Sequence, residues 1–275
     1  MTGRTKYAEA DHPRGTDGRF VTKAGSRAKP KTRTVRMPSE DEEPTGGEAS
    51  YVLCDSLEDW RERREQTPGC SDMKRMLIEG RPPSSFDPEP GSYMDKIFNF
   101  GHEWEPRIAS EYAKRNGFRE RPEDTPIEDL KPGELTRHNL AMYEVDGKVH
   151  ASLDAVQRNM DGTVTVVEIK TGGKDSFEDL QSGQRKGYAT QATVERLVTG
   201  ADSARIVYAQ RPAGFDGMKP EQIEPVTLGS MEVVDVDRSL TDDVRLRDGT
   251  CLSDLDMSGL EDACERIRAM RREGE

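Results

Sequence analysis

The sequence predicts an α/β protein: a central mixed β-sheet flanked by helices, preceded by a disordered tail. Three observations carry that prediction. Residues 136–145, 148–157 and 163–170 alternate or run apolar with β-branched content, as strands do. Segments with helical periodicity precede and follow them. Residues 1–49 hold Gly, Pro, Ser, Thr and charge with almost no apolar periodicity, passing from a basic stretch into Ser39-Glu40-Asp41-Glu42-Glu43. At roughly 150 residues per domain, the 275 residues make one large domain or two small ones, and residues 50–275 read as one.

The elements follow in order. Asp55 or Ser56 can cap a helix running through Trp60 to about Gln66, and after Pro68-Gly69 the pair Ser71-Asp72 can cap a second one ending at Gly80. A Pro-rich loop covers 82–90. The clearest helix spans about His102 to Asn116, with Trp104, Ile108, Ala109 and Tyr112 near one face and Gly117 as its C-cap. Asn159-Met160-Asp161-Gly162 is a turn signal inside a β-meander. A helical region from Ser176 to Val198, a strand over Ala204–Ala209, a strand-like 230–236 and a helix near 258–272 complete the chain.

Composition excludes several classes. Hydrophobic residues make up 32% and charged ones 34%, and no apolar run approaches the roughly 20 residues that span a bilayer. The first 30 residues are charged where a signal peptide is apolar, so the expected location is the cytoplasm. Cys54, Cys70, Cys251 and Cys264 form no C-x-x-C pair and read as reduced thiols. His138 and His150 lack a partner at metal-binding spacing, and no phosphate-binding P-loop occurs. Net charge is −12, but residues 1–36 hold ten Lys/Arg against three acids, so residues 37–275 carry −19. A body that acidic repels phosphate. Nucleic acid would need a local basic groove, or metal ions that reverse the field. The basic leader reads as a nucleic-acid tether or, since no aromatics interleave it, as a solvated tail.

The hairpin 148–170 concentrates the chemistry. Symmetric pairing about residue 160 sets Ser152 opposite Glu168 and Asp154 on the diagonal, with Asp154, Glu168 and Lys170 on one face. Diagonal neighbours lie roughly 7–8 Å apart, close enough for two carboxylates to share one ion. Carboxylates, water and phosphate oxygens suit Mg²⁺ or Mn²⁺. Such an ion acidifies water and neutralises charge developing on phosphorus oxygens, while a lysine two residues along the strand can hold the water or the scissile phosphate. Glu-Ile-Lys on a strand is otherwise a charged solvent face.

An Asp, a gap and then Glu-x-Lys is the pattern of the PD-(D/E)XK nuclease superfamily. The ordered series Trp60-x-x-x-Arg64, Cys70-Ser71-Asp72, Gly101-x-x-x-Glu105, Ser152-x-Asp154, Glu168-Ile169-Lys170 and Tyr188-x-x-Gln191 resembles the YqaJ-like viral recombinase family, to which phage lambda exonuclease belongs. The resemblance covers about residues 56–210. Leu153 departs from the proline in the superfamily's name.

The resemblance implies a restriction-endonuclease-like core and a metal-dependent exonuclease acting 5′ to 3′ on duplex DNA ends. Asp154, Glu168 and the backbone carbonyl of Ile169 would hold Mg²⁺ or Mn²⁺, with Glu105 a further carboxylate. Lys170 would activate or orient the water, and Gln191 would position nucleophile or phosphate. Arg64 and Ser71 match positions that hold a terminal 5′-phosphate, a task suited to a guanidinium beside a helix N-terminus. His102 is a further candidate ligand. A single-strand annealing protein is the implied partner. A ring of three or four subunits is the implied assembly, its channel lined by Lys74, Arg75, Lys174, Arg185 and Lys186. Two other readings stay open: a restriction-type endonuclease without a closed 5′-phosphate pocket, and a non-enzymatic acidic accessory protein or DNA mimic with its carboxylates spread over the surface.

Overall fold

The computed structural model describes residues 31–34, 49–81, 89, 91–173, 186–215 and 231–273. Strands β1 (Lys31–Thr34) and β2 (Ala49–Leu53) precede helices α1 (Leu57–Gln66), α2 (Cys70–Glu79) and α3 (Tyr93–Asn116). Then come β3 (Arg119–Glu120), β4 (Glu134–Arg137), β5 (Ala141–Val145), β6 (Val149–Ala151), β7 (Ala155–Arg158) and β8 (Val164–Gly172). Helix α4 (Lys186–Thr199), β9 (Ser203–Gln210), β10 (Met231–Asp235) and helix α5 (Met257–Glu273) close the chain. Two sheets result. A mixed six-stranded sheet runs β10-β9-β8-β7-β4-β3, with β8/β9 and β3/β4 parallel, and an antiparallel sheet runs β1-β2-β5-β6.

Helices cover both faces of the larger sheet. On one, α3 lays Phe100, Trp104, Ile108, Ala109 and Tyr112 against Leu135, Ala155, Val167, Ile169 and Val207. Tyr112 ties this layer by donating its hydroxyl to Gln157 Oε1 at 2.8 Å. On the other face, Val156, Val164, Val166 and Ile206 pack with side chains of α2, α4 and α5. Strand β8 is therefore sandwiched, which its continuous apolar run requires.

Several elements differ from the sequence reading. Helix α3 starts nine residues before His102, because Ser92 Oγ accepts the Asp95 amide and sets the N-cap there. Helix α2 is capped at Gly69, whose amide donates to Asp72 Oδ2 at 3.0 Å, so Ser71 lies inside the first turn rather than at the cap. The three-strand meander is five strands shared between two sheets. The chain leaves the large sheet at 138–140, forms the β5/β6 hairpin in the small one, and returns at 152–154. Within the segment expected to be a tail, Lys31–Thr34 pair with β2. The rest of 1–48, residues 82–88 and 90 of the expected Pro-rich loop, and 174–185, which include Lys174, Arg185 and the expected start at Ser176, lie outside the described residues.

The hairpin register is corrected as well. Ala155 pairs with Val167 and Arg158 with Val164, so pairing centres on Asp161 and Asp154, not Ser152, falls opposite Glu168. The cause is the turn. The Asn159 amide donates to the Thr163 carbonyl at 2.8 Å, and Gly162 takes φ +92°, which gives a three-residue loop with glycine in the left-handed position. No helix among the described residues is long and apolar enough to cross a membrane. Cys54, Cys70, Cys251 and Cys264 are unpaired thiols.

Candidate active site

The site forms where β7 begins. Extending the β7/β8 register sets residue 153 opposite Ile169, but the chain turns away toward β6 there. The Asp154 carboxylate takes the vacated ladder position, accepting the Ile169 amide at 2.6 Å. The Asp154 carbonyl accepts the amide of His138, the residue just after β4, at 3.3 Å. Glu168 and Lys170 project on the same face as Val164 and Val166, toward α4.

Glu168 is wholly buried in the middle of a central strand. A lone carboxylate there costs several kcal/mol unless its oxygens are engaged. Lys170 pairs with Glu168 Oε1. The same oxygen accepts Gln191 Nε2 at 2.6 Å, and that amide also donates to Glu195 Oε1 at 3.1 Å. Gln191 Oε1 in turn accepts Lys74 Nζ, from α2, at 3.1 Å. Two buried oxygens, Glu168 Oε2 and Glu195 Oε2, have no hydrogen-bond partner among the described residues.

The charges press on each other. Burial, then Glu168 and Glu105, push the Asp154 carboxyl well above its ordinary range. Burial and then Glu168 and Asp154 do the same to Glu195. Glu105 on α3 is raised to about 7, by burial first and by Glu168 against the opposing pull of Lys170. Burial would discharge Lys170, but Glu168 and Asp154 outweigh it and hold the ammonium charged. Without a cation the corner carries more carboxylate than it can ionise, the electrostatic condition that a bound cation relieves.

The structure thus brings together Asp154, Glu168, Lys170, Gln191 and, from the opposite layer, Glu105. His102 stands on the exposed side of α3, its imidazolium disfavoured by partial desolvation and then by Arg64, Arg61 and Lys170. Arg64 is half-buried with its guanidinium 4.3 Å from the Trp60 ring centroid, near the first turn of α2. Burial, offset partly by Asp72 and Cys70, depresses its pKa. Ser71 is exposed on that turn. Neighbouring Arg63 instead forks onto Glu144 at 2.6 and 2.7 Å. Lys74, expected to face a channel, turns inward.

Glu195 and Lys74 went unassigned to the site in the sequence. Glu195 is 1% exposed and sits four residues after Gln191, one turn along the same face of α4. A glutamate at that spacing inside an apolar helix face was the available signal. Lys74 arrives only because α2 packs against α4.

The donor set fits a hard divalent cation: acidic oxygens, one of them buried and unpartnered on Glu168, beside a pair of carboxylates that cannot both stay ionised alone. Among the described residues, no three Asp, Glu, His or Cys side chains gather tightly enough to hold an ion unaided. Asp154 and Glu168 would be the core of any such site, with other oxygens completing it.

No protein-family model matches the chain, and no curated protein matches it either. Solved structures do. An alkaline exonuclease from Laribacter hongkongensis shares 14% identity over 79% of this chain and 98% of its own, with a TM-score of 0.40. Its complex with dAMP gives 15%, the same coverage and 0.38. A phage-related exonuclease from Haemophilus somnus 129PT shares 12% identity over 80% of this chain and 85% of its own, at 0.37.

Proposed function

We propose that this chain is a divalent-metal-dependent deoxyribonuclease of the YqaJ-like kind in the PD-(D/E)XK superfamily, hydrolysing phosphodiester bonds from duplex DNA ends in the 5′ to 3′ direction. One observation carries the reading: Asp154, Glu168 and Lys170 meet at a break in the sheet, with Glu168 buried and one of its oxygens unpartnered. A structural ion pair would saturate that carboxylate. This one leaves an acceptor unpartnered among the described residues, on a carboxylate whose charge, with that of Glu105, also presses on Asp154.

Asp154 and Glu168, with the Ile169 carbonyl and Glu105 as further oxygens, would hold Mg²⁺ or Mn²⁺. The ion would supply Lewis acidity and offset the charge of the phosphate. Everything else falls to the chain. Lys170, kept cationic by its carboxylate neighbours, serves as a donor to the scissile phosphate or the attacking water rather than as a base. Gln191, its amide nitrogen between Glu168 and Glu195, orients a ligand of the same corner. Arg64 and Ser71 would receive the 5′-phosphate at the α2 N-terminus, where guanidinium and helix dipole act together. The exposed strand would pass to a single-strand annealing protein in the cytoplasm. A ring of three or four copies would set basic residues around the duplex and leave the acidic surface outside.

The test is degradation of linear duplex DNA carrying a 5′-phosphate or a 5′-hydroxyl, with Mg²⁺ or EDTA, beside a covalently closed circle. Metal-dependent loss of the 5′-phosphorylated linear substrate, with the circle spared, is the expected result. Cutting of the circle would favour a restriction-type endonuclease. No cleavage under any metal would leave the acidic accessory protein.

A further inference from the structure

Lys74 is a cation with no carboxylate in hydrogen-bond contact among the described residues, and its ammonium is spent on an amide. It approaches from α2 to donate to Gln191 Oε1 at 3.1 Å, while the other end of that amide donates to Glu168 and Glu195. Resting on the nuclease reading above, we infer that Lys74 is a positioning residue, which fixes the Gln191 amide with its NH₂ turned to Glu168.

An ammonium has three donors and no acceptor, so it tolerates only the oxygen end of a glutamine amide. In the resting site the carboxylates favour the same orientation. A cation held by the Glu168 oxygens would weaken that preference, and Lys74 would remain the group that forbids a flip. The surroundings fit a fixed post. Lys74 is partly buried, and its Nζ lies 5.8 Å from the Tyr188 ring centroid, while Lys170 Nζ lies 5.7 Å from the same ring. Tyr188 and Gln191 are three residues apart on α4 and share a face. One helical turn thus contacts both lysines through the ring and the amide. Lys74 also lies one turn beyond Ser71 on α2, so the helix that would receive the 5′-phosphate is the one that holds Gln191.

The test compares the full chain with Lys74→Met, Lys74→Arg, Gln191→Leu and the Lys74→Met/Gln191→Leu pair on 5′-phosphorylated linear duplex. In parallel, the side-chain amide signals of ¹⁵N-labelled, cation-free protein are recorded. Lys74→Met should lower kcat about tenfold with KM unchanged. Lys74→Arg should recover most of that loss, and in the Gln191→Leu background Lys74→Met should cost nothing further. The Gln191 amide pair, identified by its absence in Gln191→Leu, should move in Lys74→Met. Additive losses, or a rise in KM alone, would mean that Lys74 touches DNA itself and would overturn the inference, as would an amide pair that stays put. A wild-type chain that cleaves no DNA would overturn the nuclease reading instead, and the amide signals would still decide whether Lys74 holds Gln191.

Discussion

Two aspartates stand at the two places where the chain passes between sheets, and they are used in opposite ways. Asp124, in the left-handed conformation at φ 58°, serves the outward crossing at 138–140. Its carboxylate accepts the amides of Asn139, Leu140 and Ala141 at 2.7, 3.1 and 3.0 Å. Asp154 serves the return crossing at 152–154 and, among the described residues, accepts one amide, from Ile169, amid charges that push its proton affinity up. The same topological problem, amides left over where a strand departs, is met once by a carboxylate spent on three amides and once by a carboxylate that, among the described residues, takes one amide amid neighbouring acids. Spending the oxygens on amides is what structure alone requires; the acidic crowding at Asp154 is what the proposed metal site would use.

The contrast breaks most visibly on substitution. Asp154→Asn should remove DNA cleavage by about a thousandfold or more, with thermal stability unchanged or raised, because a buried charge is lost and little hydrogen bonding with it. Asp124→Ala should do the reverse, costing about 2–3 kcal/mol in denaturant unfolding as three backbone amides lose their acceptor, with cleavage intact while the protein is folded. Equal destabilisation by both variants would remove the distinction.

Neighbouring arginines on α1 repeat the pattern at smaller scale. Arg63 is saturated by the fork onto buried Glu144, whereas Arg64 stacks on Trp60 with no carboxylate fork among the described residues. Arg64→Lys should therefore reduce the preference for a 5′-phosphate over a 5′-hydroxyl end by about tenfold, since an ammonium cannot fork onto a phosphate. Arg63→Ala should leave that preference alone and cost about 2–3 kcal/mol by stranding Glu144. Cleavage rates on the two ends, measured for both variants, separate the roles.

What the sequence made legible follows the same division. Asp154, Glu168 and Lys170 lie within one hairpin, so period-2 alternation and a short turn bring them together, and an error in the turn's centre shifted their register without separating them. Gln191 needed the family resemblance. Glu195 and Lys74 depend on how α2 and α4 settle over β8, a matter of tertiary packing that local spacing does not encode. The second sheet was hidden for a related reason: residues 136–145 alternate smoothly, yet His138 to Leu140 change sheets because Asp124, fourteen or more residues upstream, offers acceptors there.

The smallest expected effect tests the acidic crowding itself. In the cation-free protein the raised carboxyls of Asp154, Glu195 and Glu105 bind protons more tightly folded than unfolded, where a glutamate titrates near about 4.3. Between that value and the Glu105 value of about 7, the folded state carries the extra protons, so stability must fall as pH rises through the window. On the proposed reading, Mg²⁺ would compete with those protons. Its stabilising effect should grow over the same interval, so the Tm gained on adding Mg²⁺ should be larger at pH 7.5 than at pH 5.5, by a few degrees at most. Asp124→Ala should keep this dependence because its carboxylate takes no part, while Asp154→Asn should flatten it. A Tm gain that is the same at both pH values would mean that the carboxylates of the corner are satisfied without a cation, and Asp154 would then differ from Asp124 in its surroundings but not in its use.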